Sequence, residues 1–131
     1  FGFWATFGVK EGLSDEEGIV KAMELIRICR EAGVTLFDNA EAYGDGKAES
    51  IFGEAYARLQ KEDPELYDRR QLILTTKIYW GGTKGVNERG ISKKRITEGL
   101  DNSLKRLQLD HVDIVFCHRP DKYTATDTVV R

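Results

Sequence analysis

Three apolar, strand-like runs in this chain each end on a polar residue of a type that catalysts use. Val34-Thr35-Leu36-Phe37 ends on Asp38, Leu72-Ile73-Leu74-Thr75-Thr76 on Lys77, and Val112-Asp113-Ile114-Val115-Phe116-Cys117 on His118. Tyr43 follows the first of them by five residues. Each residue alone reads as a helix cap, an ion-pair partner or a structural polar group. Together they fit one reaction. A tyrosine with its ordinary pKa of about 10 is a poor acid near neutrality. A neighbouring ammonium stabilises the phenolate and lowers that value. A carboxylate holds the ammonium in place, and an imidazole hydrogen-bonds and orients a carbonyl group. Such a set protonates a carbonyl oxygen while a hydride arrives at the carbon.

The elements that must gather these residues are legible from their spacing. The three strand ends lie 39 and 41 residues apart, from 38 to 77 and from 77 to 118. A strand–helix unit of that length, repeated with right-handed crossovers, sets equivalent strand ends side by side. In barrels of this kind, that rim carries the chemistry. Ser14-Asp15-Glu16-Glu17 is a capping box, followed at helical spacing by Ile19, Met23, Ile26 and Cys29, with Gly33 as the left-handed stop. Gly44-Asp45-Gly46 reads as a loop. A second helical stripe runs through Ala48, Ile51, Phe52, Ala55, Tyr56 and Leu59, ended by Glu62-Asp63-Pro64. An exposed linker then leads to a strand over 71–77, apolar on both faces as a covered parallel strand requires. Gly81-Gly82 opens a long loop to Gly90. Ser92 caps a third helix with Ile96, Leu100, Ser103, Leu104 and Leu107 inward. Arg119-Pro120-Asp121 is a turn. The alternation implies an α/β fold with a parallel sheet. The absence of a Gly-rich G-x-G-x-x-G turn favours a barrel over an open dinucleotide-binding sheet.

Composition narrows the classes. With 40% hydrophobic residues, the 131-residue chain supports one compact core. A net charge of −2 argues against a nucleic-acid binder. No apolar run approaches the roughly 18 residues of a membrane span, and no signal peptide opens the chain. Cys29 and Cys117 read as buried free thiols in a reducing, cytoplasmic setting. The chain starts at Phe1 in what reads as a strand end and stops at Arg131, just after what reads as a helix start over 126–130, so it reads as a fragment. The spacing Tyr43-Gly44-Asp45-Gly46-Lys47 matches the Y-x-x-x-K of short-chain dehydrogenases, but two glycines argue against the helix that motif needs. Lys47 instead reads as an exposed residue at a helix start.

Three stretches make the chain resemble a known family. These are Leu36-Phe37-Asp38-Asn39-Ala40-Glu41-Ala42-Tyr43-Gly44, then Thr75-Thr76-Lys77, then Ser103-Leu104-Lys105-Arg106-Leu107-Gln108-Leu109-Asp110-His111-Val112-Asp113. They are similar to an aldo-keto reductase. Phe3-Trp4-Ala5-Thr6-Phe7-Gly8, Lys77-Ile78-Tyr79-Trp80-Gly81-Gly82 and Asn87-Glu88-Arg89-Gly90 resemble the potassium-channel β-subunit branch. The resemblance implies a (β/α)8 TIM barrel. About its first four β/α units are present, residues 1–131 being the N-terminal part of a single domain. It implies NADPH-dependent reduction of aldehydes or ketones, with Tyr43 as proton donor, Asp38 and Lys77 tuning it, and His118 orienting the substrate. Trp4, Asp38 and His118 would contact the cofactor, and no metal is called for. His118 stands where the animal channel subunits carry asparagine, which favours a working reductase. Lys10 falls near a cofactor-contacting glutamine, but Gly12-Leu13 shift the spacing and the role does not carry over. The implied partners are a small carbonyl substrate, a membrane channel subunit and further copies of the chain in a tetramer. Nucleic acid is not among them.

Other expectations are blander. Tyr79 and Trp80 read equally as substrate-pocket walls or loop packing. Lys93-Lys94-Arg95 and Lys105-Arg106 read as the solvated face of the third helix, and Asp113 as buried, paired and not catalytic. The alternative to a soluble reductase is a cytoplasmic channel β-subunit that uses bound NADPH as a redox sensor. A lyase forming a Schiff base on Lys77 is a third option. A barrel needs about 250 residues, so this piece alone is expected to bind NADPH poorly and to expose sheet edges.

Overall fold

The computed structural model describes residues 1–7, 14–81, 85 and 87–130. Lys10, Gly12, Leu13 and Gly82, singled out in the sequence, lie outside the described residues. Strands β1 (Leu36–Asp38), β2 (Ile73–Ile78) and β3 (Ile114–Cys117) form a parallel sheet in sequence order. Residues 1–3 run parallel to the free edge of β1 through a bridge from Gly2 to Asp38. The Phe3 amide donates to the Asp38 carbonyl at 3.0 Å, and the Asp38 amide donates to the Phe1 carbonyl at 2.8 Å. The helices are α1 (Trp4–Phe7), α2 (Asp15–Glu31), α3 (Lys47–Glu62), α4 (Lys93–Leu107) and α5 (Thr126–Val129). Strand, helix, strand therefore recurs along the chain, as an α/β fold with a parallel sheet requires.

Local signals set the helix ends. Ser14 and Glu17 form the reciprocal capping box that opens α2, and Gly33 follows its end at φ 82°. Ser92 caps α4 by accepting from the Arg95 amide. The loop read over Gly44-Asp45-Gly46 lies in a kinked turn, Tyr43–Gly46, whose interior is non-helical. Gly44, Asp45 and Gly46 all adopt positive φ there, which an α-helix through the Y-x-x-x-K spacing could not accommodate.

The two-residue period of β2 separates its side chains. Leu72, Leu74, Thr76 and Ile78 are buried toward the helices. Ile73, Thr75 and Lys77 take the opposite face. By register, β3 places Ile114 beside Thr75 and Phe116 beside Lys77. The core lies between the sheet and the helices. Phe52 of α3 packs edge-on to Phe3 at 5.1 Å and against Phe37 and Tyr56. The α3 stripe is buried throughout, as its spacing predicts. Gly53 lets α3 and α4 touch backbone to backbone, since a Cβ there would lie 2.5 Å from the Arg106 carbonyl oxygen.

Five expectations are corrected. The linker before β2 is pinned: Tyr67 is buried, and its carbonyl accepts the Tyr56 hydroxyl proton at 2.8 Å. The buried face of α4 is Arg95, Gly99, Ser103 and Leu107, with Ile96, Leu100 and Leu104 half-buried. Arg95 is consequently buried and Arg106 half-buried, because each pairs with a buried glutamate. Cys117 is exposed, since β3 is the outer strand of the sheet among the described residues, and Cys29, on α2, is half-buried. Asp113 is exposed; it pairs with Arg69 at 2.8 Å and accepts the Leu74 amide proton at 2.6 Å. Those bonds hold its carboxyl below the usual range against the opposing effect of burial. The non-helical face leaves Leu36, Ile73, Ile114 and Phe116 about 40% exposed.

Candidate active site

The C-terminal ends of the three strands, with the turn after β1, converge on one hollow. Asp38 ends β1 and Lys77 lies one residue inside the end of β2. His118 follows β3, its amide continuing the ladder to the Ile78 carbonyl at 3.1 Å. Lys77 uses all three ammonium protons. It donates to Asp38 Oδ2 at 2.6 Å, to the Asn39 carbonyl at 2.8 Å and to the Tyr43 hydroxyl at 2.9 Å. An ammonium can only donate. The Tyr43 oxygen is therefore the acceptor, and its own proton is left for another group. Thr75, on the same sheet face as Lys77, donates to Asp38 Oδ1 at 2.7 Å and fixes the carboxylate from its other side. Side-chain exposures of 16% for Lys77 and 28% for Asp38 make this a shielded pair, stronger than a surface one.

Tyr43 is 9% exposed and faces a cavity of about 550 Å³ lined by Trp4, Ala42, Tyr43, Trp80, His118 and Arg119. Its ring lies 5.0 Å from that of Trp4 and 6.0 Å from that of His118. Trp80 stands edge-on to His118 at 6.5 Å. The Nδ1 of His118 is buried with no partner among the described residues. Desolvation, then the positive charges of Lys77 and Arg119, lower the pKa of His118. Its imidazole is accordingly neutral at pH 7, with one N–H to donate and one lone pair to accept.

The four residues singled out in the sequence thus share one site, with Trp4 at its wall. Trp80 lines the cavity and Tyr79 does not. Lys47 is exposed and pairs with Asp15 at 2.9 Å, while the Tyr43 hydroxyl accepts from Lys77. Sequence reasoning missed Thr75, although the two-residue period to Lys77 could have found it. It also missed Arg119 and the buried pair Glu41–Arg95. Glu41 Oε1 accepts the amides of Tyr79 at 2.7 Å and Gly81 at 2.9 Å, while Oε2 accepts from Arg95. The turn after β1 is thereby tied to the segment that carries Trp80. Among the described residues, no group of three or more His, Cys, Asp or Glu is placed to hold a metal ion, and no helix is long and apolar enough to cross a membrane.

Comparison with known proteins bears on the same arrangement. The profile of the Aldo/keto reductase family matches residues 1–131. A probable voltage-gated potassium channel subunit beta of Oryza sativa subsp. japonica is 44% identical over 131 residues, which is 100% of this chain and 36% of that protein. Its counterpart in Arabidopsis thaliana is 42% identical over the same shares. The chain thus spans 36% of the length of these curated relatives. The crystal structure of an aldo-keto reductase from Klebsiella pneumoniae in complex with NADPH superposes with a TM-score of 0.70 at 27% identity, over 98% of this chain and 37% of that one.

Proposed function

The chain belongs to the aldo/keto reductase family, and on that premise we propose that the protein reduces aldehydes and ketones, with NADPH as hydride donor and Tyr43 as general acid. Residues 1–131 are then the N-terminal part of one barrel domain. The observation that carries this reading is the saturated Lys77 ammonium. Its three bonds leave the Tyr43 proton as the donor facing the cavity.

The residues present fit the cofactor. The flat face of Trp4 beside Tyr43, a cavity of about 550 Å³ and the unpartnered His118 Nδ1 suit a planar amide-bearing ring next to a small carbonyl compound. Trp4, Asp38 and His118 would hold its reactive end, and when bound it supplies a hydride and so the two electrons. The chain's own residues do the rest. His118 donates its N–H to the substrate oxygen and orients the carbonyl. Tyr43 passes its proton to that oxygen as negative charge develops there. The phenolate left behind faces the Lys77 ammonium at hydrogen-bond distance, where the attraction is strong because the pair is shielded. Asp38, held by Thr75, keeps the ammonium charged and aimed. The proton returns to Tyr43 from solvent.

In the full-length protein, Tyr43→Phe should lower aldehyde-dependent NADPH oxidation by about 10²–10⁴-fold, with NADPH binding by fluorescence retained. Wild-type kcat/KM in that variant would overturn the assignment. The rice and Arabidopsis relatives are named as probable voltage-gated potassium channel β-subunits, and from that likeness we propose a second role as a channel β-subunit, with a cytoplasmic, four-copy assembly as part of the proposal. Co-purification with a channel's cytoplasmic domain, at the mass of a four-copy assembly, tests it. A monomer that binds no channel domain would refute it.

A further inference from the structure

The cavity that holds Tyr43 and His118 carries one more charge, the guanidinium of Arg119. Most described arginines are engaged within the protein. Six form ion pairs with carboxylates, Arg30 donates to the carbonyls of Val34 and Leu66, and Arg89 stacks on Trp80 with its guanidinium carbon 4.3 Å from the ring centroid. Arg119 has no such partner among the described residues. The nearest acid in sequence, Asp121, is occupied by the amides of Ile91 and Tyr123 and by the Thr124 hydroxyl.

The charge balance of the site follows. Asp38 and Lys77 neutralise one another, and His118 is held neutral. Among the described residues no carboxylate lines the cavity. Arg119, which cannot lose its proton in a protein, leaves the cavity with one uncompensated positive charge. Its field reaches the centre, since it is among the charges that act on His118. The walls beside it are the flat rings of Trp4 and Trp80.

We propose that Arg119 selects the substrate class, so that the preferred carbonyl compounds are planar aldehydes or ketones that also carry an anionic group such as a carboxylate or sulfonate. The proposal rests on the reductase reading and adds the ligand chemistry to it. The carbonyl meets Tyr43 and His118, the planar body lies against the tryptophans, and the anion accepts a forked, charge-assisted pair of hydrogen bonds from the guanidinium.

The test compares two probes of near-equal shape in the full-length protein: 4-formylbenzenesulfonate, which is anionic, and 4-formylbenzenesulfonamide, which is uncharged. The expected ratio of kcat/KM, anion over neutral, is on the order of tenfold at low salt, because a hydrogen-bonded charge partner at an open site is worth about one decade. That ratio should fall as ionic strength rises. Arg119→Gln should bring it to about one, Arg119→Lys should retain part of it, and Arg119→Glu should invert it. A wild-type ratio near one, or an unchanged ratio in Arg119→Gln, overturns the proposal. So does a variant whose sole defect is a raised Kd for NADPH, which would assign the guanidinium to a cofactor phosphate. If Arg119→Gln does not fold, Arg119→Lys and the wild-type salt dependence still decide. Failure of the wild-type protein to reduce either probe would instead sink the reductase reading itself, so the two failures are distinguishable.

Discussion

Removing the Glu41 carboxylate should cost more stability than any change on the helix surfaces. Glu41 and Arg95 are 6% and 5% exposed and paired. Glu41→Ala would strand a buried guanidinium, which typically costs about 3–5 kcal/mol. It would also take the acceptor from the amides of Tyr79 and Gly81. Two features keep the total at the low end. Arg95 retains the Glu88 carbonyl as an acceptor, and the pair borders a polar hollow of about 740 Å³ through which water can reach the vacated space. The expected loss is therefore about 3 kcal/mol, a large share of a typical total of about 5–15 kcal/mol. Glu41→Gln keeps an oxygen for the two amides but turns a donor NH2 toward the Arg95 guanidinium, so a loss close to that of Glu41→Ala, about 2–3 kcal/mol, is expected. Replacing both partners, Glu41→Gln with Arg95→Met, should recover part of the loss, because no charge is then left buried. Urea unfolding of the full-length protein, followed by tryptophan fluorescence, measures each as a midpoint shift at constant m. A loss below about 1 kcal/mol for Glu41→Ala would refute the reasoning, as would a double variant worse than either single one.

Gly53→Ala should destabilise by about 2 kcal/mol even though alanine is the better helix former by about 1 kcal/mol. Its Cβ would meet backbone atoms of Arg106 and Leu107 at 2.5–2.6 Å, and these cannot rotate away. Gly18→Ala, which meets only the tip of Ile51 at 2.9 Å, should lie within about 1 kcal/mol of wild type in the same melts, and equal effects would sink the packing argument. His118 should titrate by NMR below the ordinary value of about 6.5, because desolvation and two nearby cations disfavour its charged form. Between that lowered pKa and 6.5 the unfolded chain binds more protons, so stability should rise with pH across the window and be lost as pH falls through it. His118→Asn should remove that component; a midpoint at or above 6.5 would contradict the assignment.

Spacing alone determined the order of strands and helices, the capping box at Ser14, the buried stripe of α3 and the convergence of Asp38, Tyr43, Lys77 and His118. Hydrophobic period and strand-end position are local properties, and parallel strands in sequence order turn equal spacing into adjacency. What the sequence could not disclose is which charges are inside. Arg95 and Arg106 look like solvated helix residues because lysines flank them, yet the α3–α4 contact at Gly53 turns that face inward, onto Glu41 and Glu49. Cys117 and Asp113 look buried because their strand is apolar, but burial depends on a neighbour that lies beyond the strand's own residues. Arg119 follows His118 in a turn without a repeat to fix its direction, and only the folded backbone brings it to the cavity of Tyr43. Periodicity reports what each element does to its own side chains. Pairing and burial of charge belong to contacts between elements far apart in the chain, and those the tertiary structure decided.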